Sequence, residues 1–371
     1  MLRVFTITIV VLAAVVAVLG VAIVMVRAAR QARRRRLAAL AAGPRRALLT
    51  FVADNGEEGG NELVAVPDDA WKAVEPAALS LLGKLRGEAH LALVSVFLRR
   101  GTARAALGAL RSRSLVRRAR AAQVLGDLGL RQAVPELCRL LADRHSEVRV
   151  VAVRALGRIG DPAAAWRLIA SLDRPDPVPV LLATQALVQL GSEAEVTLSA
   201  ALDHPQARVR VVCLDALGML GATGSMPRVA RVLREDSVLE VREAAASTLG
   251  KLGTGSALEP LTQALTSARP VALRAAAARA LGELGAPSAV PALVALLDDD
   301  AYRVAHEAAH ALRRLGATGL AALQAMVDED KQRARAAGAG AHAKPSPAAA
   351  HAREALSLAA VTVETAELVA A

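Results

Sequence analysis

The sequence predicts an all-α chain, a right-handed α-solenoid of seven to eight stacked helical hairpins behind one N-terminal membrane-spanning helix. Three observations predict it. First, the phrase Leu-Gly-x-Leu-Gly, or a close copy, closes at Gly129, Gly160, Gly191, Gly221, Gly253, Gly285 and Gly316, in steps of 31, 31, 30, 32, 32 and 31 residues. A period of that length in an apolar, Pro-punctuated chain marks stacked supersecondary units. Second, 54% of the 371 residues are apolar but only 2% aromatic, so the core must be built of Ala, Leu and Val, which let helices approach closely. Third, residues 4–26 carry no charge.

Taken in order, residues 1–3 form a short extracytoplasmic end. Residues 4–26 span about 34 Å as a helix, enough for a hydrocarbon core of roughly 30 Å. Arg27, Arg30, Arg33, Arg34, Arg35 and Arg36 follow the span, against Arg3 alone before it. That asymmetry predicts a retained single-pass anchor in the cell (inner) membrane, with the bulk of the chain cytoplasmic. The basic segment 27–51 is expected to act as topology determinant, and its Arg residues to meet anionic lipid headgroups. Residues 52–69, with Asn55-Gly56 and Gly59-Gly60-Asn61, have the composition of a flexible linker.

The solenoid is expected over 70–330, with a helix at 71–86, a degenerate repeat at 88–111 and seven clear repeats from about 115. In repeat five, Val241, Ala244, Ala245, Leu249 and Leu252 fall on one stripe of a helix, and Leu258, Leu261 and Leu265 begin a second stripe. Between them Gly253 stands where a left-handed residue ends a helix, as do Gly160, Gly221 and Gly285. The inner glycines Gly126, Gly157, Gly218, Gly250 and Gly282 lie inside the first helices, where Gly costs about 1 kcal/mol against Ala, and so predict close approach by a neighbouring backbone. Val188 and Arg313 fill that slot in repeats three and seven. A recurrent acid (Asp143, Asp203, Asp236, Asp298) precedes a recurrent Arg (Arg149, Arg210, Arg242, Arg274), which predicts helix capping and Asp–Arg pairing within or between repeats.

Segments such as SEVRVVAVRALGRIGDPAAAWRLIASL (146–172) and VREAAASTLGKLGTGSALEPLTQAL (241–265) resemble HEAT repeats, in the short bacterial form also found in phycobilisome lyases. The resemblance covers roughly 88–330 and implies a stacked-hairpin fold that supplies binding surfaces and hosts few enzymes. Beyond 330 the Ala-, Gly- and Pro-rich stretch through AGAGAHAKPSPAAAH reads as a mostly disordered tail over 331–371, with a weakly apolar segment from Ala355 to Val369.

His306-Glu307-Ala308-Ala309-His310 matches the helical H-E-x-x-H spacing that places two imidazoles on one face. Register argues against a metal site: His310 falls in a slot that is polar in every repeat, and the third ligand would have to come from Asp328, Glu329 or Asp330. Deoxyhypusine hydroxylase, which the array resembles, uses several His-Glu pairs to hold iron, whereas this chain has one. No catalytic residue and no cofactor are therefore assigned. Residues 1–50 carry nine Arg and no acid and residues 331–371 five basic and three acidic groups, leaving 32 of each sign in 51–330. A neutral array with only Trp166 and Tyr302 as aromatic residues in its clear repeats offers nothing to nucleic acid. Cys213 fills a slot held by Ala in the other repeats and reads as a buried thiol, three repeats from Cys138 and far beyond disulfide reach.

These residues predict a membrane-anchored cytoplasmic scaffold or adaptor for a partner protein, a membrane enzyme or transporter being the first to test. The alternative is a metal-dependent hydrolase or lyase-like enzyme using the His306–His310 segment.

Overall fold

The computed structural model describes residues 19–21, 24–28, 31, 39, 42–54, 59–336 and 344–370, with backbone alone for 361–370. Every regular element among them is helical. The chain forms two compact parts, Met1–Leu128 and Gly129–Ala371.

In the first part residues 42–53 are helical and are followed by Gly60–Ala65, Asp68–Leu82, Gly87–Arg99, Thr102–Ala109 and Leu115–Asp127. Phe51, Leu63, Val74, Leu93 and Phe97 are fully buried. Arg100 donates to the carbonyls of Leu63 (3.1 Å), Val64 (2.8 Å) and Val66 (2.9 Å) and to Asp68 (3.0 Å), with its guanidinium 4.5 Å from the Trp71 ring centre. The described residues of the expected linker 52–69 are thus packed rather than loose. Gly59 has φ +83°, in the left-handed region, and a Cβ there would lie in ordinary contact with Phe51, 3.6 Å from its Cβ.

The expected localisation needs correcting. Among the described residues no helix is long and apolar enough to cross a membrane, so a single-pass membrane protein is not supported. Most of 4–26 lies outside the described residues, as do Arg30, Arg33, Arg34, Arg35 and Arg36, while Arg27 is helical and exposed. An uncharged run signals a span only where it forms one continuous helix of sufficient length. The longest helices that are described, Ala317–Ala336 and Pro347–Ala370, carry charged side chains such as Asp328, Lys331, Arg353 and Glu354.

In the second part the first helices Ser146–Ile159, Val180–Gln189, Ala207–Leu220, Leu239–Leu252, Val271–Leu284 and Tyr302–Arg314 pack each on the next, forming one layer. The shorter helices Val134–Leu140, Ala165–Ser171, Glu195–Ala200, Met226–Glu235, Leu258–Gln263 and Val290–Ala295 form the second layer. A 3₁₀ turn opens each of these and ends on a buried small residue: Ala133, Ala164, Ala194, Ser225, Ala257 or Ala289. The predicted stripe of repeat five is buried at Val241, Ala245, Leu249 and Leu252. Gly253 ends its helix with φ +66° in the left-handed region, as the phrase predicts. Gly191 departs, with φ +82° and ψ −175°, a region open essentially to Gly alone.

Cys213 is fully buried, and burial pushes its thiol up to about 12 from 9.0. Because the folded value is raised, the stabilisation from the protonated thiol is complete below pH 9.0 and is lost as pH rises towards about 12. Cys138 is half-buried and its thiol is also raised by burial, partly offset by Arg167. Native protein treated with iodoacetamide near neutral pH should therefore label Cys138 ahead of Cys213 in peptide mass spectra, with Cys213 reacting only at the rate of unfolding. Equal native labelling would contradict the buried slot.

The expected disordered tail is also corrected. The helix Ala317–Ala336 runs past 331, and Pro347–Ala370 packs against it and against Tyr302–Arg314. Ala348, Ala349, Ala352 and Ala355 are buried in that contact. Alanine-rich composition reads as low complexity, but Ala is the strongest helix former, and this stripe covers the face of repeat seven that has no further repeat to meet.

Candidate functional site

The four ladder arginines are brought into one repeated arrangement. Four of the first helices carry Arg149, Arg210, Arg242 or Arg274 in the first or second turn, and the side chain reaches back towards the residues that precede the helix. Arg210 donates through Nη1 to the carbonyls of His204 (2.8 Å) and Pro205 (3.0 Å) and through Nε and Nη2 to both carboxylate oxygens of Asp236 in the next repeat, 2.8 Å each. Arg274 meets the Arg269 carbonyl at 2.9 Å and Asp299 at 2.7 Å, and Arg149 meets the Asp143 carbonyl at 2.9 Å and pairs with Asp176. Arg242 has only the Leu233 carbonyl, at 3.3 Å, because the facing loop Ser267-Ala268-Arg269 offers no acid. Pairing is therefore between adjacent repeats.

The acids differ from expectation in two ways. Asp299 rather than Asp298 pairs with Arg274, and Asp203 instead takes Arg228 and, at 2.8 Å, Arg231 of the following second helix. They also cap loops rather than helices: Asp143, Asp236 and Asp299 accept the N–H two residues on, from His145, Val238 and Ala301, at 2.9–3.0 Å. Asp176 was not legible, since its loop Asp173–Pro179 carries two acids and breaks the register.

Three of the inner glycines, Gly157, Gly250 and Gly282, meet the backbone of the next first helix at close range, as predicted, while Gly218 does not. A Cβ on Gly250 would lie 2.8 Å from the Ala280 carbonyl oxygen, and one on Gly282 would lie 2.7 Å from Ala311 Cα. At Gly218 the nearest atom is Cδ of Lys251 at 3.2 Å, with Thr248 Cα at 3.5 Å.

At the C-terminal end the His306–His310 segment gains company that the sequence did not reveal. His306 and His310 stack edge-on, ring centres 4.4 Å apart, and Tyr302 lies against His306 at 5.5 Å and His351 at 4.9 Å. His306 Nδ1 stands 3.8 Å from Glu354 Oε2, and one ligand atom each of His306, His351 and Glu354 lies within 4.8 Å of the others. Burial pushes the His351 imidazole below its ordinary value, and burial and then the neighbouring His306 do the same to His310. Glu307 stands apart, facing Arg279 at 3.9 Å. None of Asp328, Glu329 and Asp330 joins the cluster. Asp328 pairs with Lys331 and Glu329 with Arg333, while Asp330 accepts the Ser346 N–H and meets Arg353, tying down the start of the last helix.

On the second-helix layer, Trp166 and Val196 are exposed, at 57% and 80%. Each stands two residues beyond the buried Ala of its 3₁₀ turn, Ala164 or Ala194, in consecutive second helices that touch.

No curated protein sequence matches the chain. Among solved structures it is similar to the complex of CpcE and CpcF of phycocyanin lyase from Nostoc sp. PCC7120, with 25% identity, 69% of this chain and 94% of that one covered, and a TM-score of 0.31. An engineered protein is 20% identical over 88% of this chain and 93% of its own, with a TM-score of 0.34, and importin beta is 14% identical over 74% and 46%, with a TM-score of 0.44. The family model described as HEAT repeats matches three times, over residues 104–188, 194–272 and 258–342. The repeat period, the stacked two-layer hairpins and these matches together establish that the chain belongs to the HEAT-repeat proteins.

Proposed function

We propose that this HEAT-repeat chain is a scaffold or adaptor that binds a partner protein on its layer of second helices. The observation that carries the reading is the Trp166–Val196 pair. Single exposed apolar residues are ordinary, but these two share one register position on touching helices, where the other repeats place Pro135, Pro227, Glu259 and Pro291. An indole held on a rigid helix beside a second apolar side chain is the kind of anchor that dominates protein–protein affinity. The ladder Arg residues and the inner Gly residues serve the stacking of the repeats.

Proximity labelling in the native cell should identify the partner, after which affinity is compared for the full chain and its Trp166→Ala variant. Loss of a hot-spot Trp costs about 2 kcal/mol or more, so binding should weaken roughly 30-fold with an unchanged melting curve. Equal affinity of the folded variant for every labelled partner would sink this placement of the surface.

A further inference from the structure

We propose that His306, His351 and Glu354 bind a divalent transition-metal ion of the zinc type, which fastens the C-terminal helix to repeat seven. His351 and Glu354 are three residues apart on Pro347–Ala370 and so share a face, and His306 comes from the facing helix Tyr302–Arg314. Two imidazoles and one carboxylate converging from two packed helices form a three-ligand set with room for water, the donor chemistry that borderline divalent ions take. The ligand atoms already lie within 4.8 Å, and the His306 Nδ1 to Glu354 Oε2 distance is 3.8 Å. Metal–ligand bonds of about 2.0–2.2 Å ask for separations near 3.3 Å, which rotation of the half-exposed Glu354 and His306 side chains supplies without moving backbone.

Three features make this more than an aromatic stack. His351 is only 7% exposed, its ring centre 6.3 Å from that of His306, so its imidazole is buried facing a second imidazole and the Glu354 carboxylate. His310 stands one turn from His306 with its ring 4.4 Å away and edge-on, placed to orient the His306 imidazole. The last helix is also anchored at its start by Asp330, through the Ser346 N–H and Arg353, so the second ligand pair is delivered in fixed register. A metal at this point would couple ion binding to helix docking, because the ligands come together only when the tail is folded against repeat seven.

The test uses the full chain, stripped with a chelator and titrated with CoCl₂ and then ZnCl₂. One equivalent of cobalt with visible ligand-field absorption, displaced by zinc, is expected. His306→Gln, His351→Gln and Glu354→Gln should each weaken binding at least about 10-fold, while His90→Gln, in the N-terminal part, should bind as the parent does. Hydrogen exchange of residues 347–360 should slow on adding zinc to the parent and stay unchanged in Glu354→Gln. Should His351→Gln loosen the helix, Glu354→Gln decides, because Glu354 is half-exposed and its loss leaves the Ala stripe buried. Substoichiometric binding by the parent, or full affinity in a folded Glu354→Gln variant, would overturn the site.

Discussion

Replacing Arg210 by Ala should destabilise the second part of the chain by about 3–5 kcal/mol, the usual cost of removing one partner from a buried ion pair. The side chains of Arg210 and Asp236 are only 10% and 9% exposed. The guanidinium satisfies two loop carbonyls and both carboxylate oxygens, so its removal strands several buried acceptors at once rather than weakening one contact. Asp236 would keep the Val238 N–H but lose its charge partner. Lys should rescue little, because a point charge cannot reproduce the fork. Replacing both Arg210 and Asp236 by Leu should recover much of the loss, since no buried charge then remains unpaired. Arg242→Ala, which removes a single long bond, and Arg149→Ala, whose partner Asp176 is 79% exposed, should cost less. Urea unfolding of the five variants ranks them directly, and an Arg210→Ala midpoint equal to that of Arg242→Ala would refute the ladder as the joint between repeats.

Gly250→Leu should cost about 1–3 kcal/mol or somewhat more from overpacking, because the atoms in the way belong to the backbone of the next first helix and cannot rotate aside. Gly282→Leu should behave alike against Ala311. Gly218→Ala provides the contrast. Its new methyl meets the movable end of Lys251 and otherwise ordinary contact distances, so the gain in helix propensity, up to about 1 kcal/mol, should win. Contacts in a repeat array are nearest-neighbour, so hydrogen exchange in Gly250→Leu should rise in repeats four to six and hardly change at Val134–Leu140 in repeat one. Uniform acceleration would indicate one cooperative core and contradict the stacked-repeat reading.

The sequence by itself determined the repeat. A 31-residue period, a stripe of Ala and Leu, a glycine closing each repeat and an inner glycine in five of the seven are local or nearest-neighbour requirements, and each is written at the position that bears it. Gly253 and Gly250 were legible for that reason, and so were Arg210 and Asp236 as residues that pair, though not which partner each takes. Uncharged residues 4–26 predicted a membrane span from composition alone, and the described helices do not support it. Tertiary structure decided what depends on contact between distant segments. Leu63, in the expected linker, and Phe51, in the expected basic segment before it, are core, and Asp176 rather than a residue in register completes the Arg149 joint. Of the candidate metal site only His306 was legible, through the H-E-x-x-H match: His306 and His351 are 45 residues apart, joined through a segment whose composition resembles disorder. They meet only because an Ala stripe on the last helix finds the open face of repeat seven, a complementarity of surfaces that no local pattern in either segment encodes.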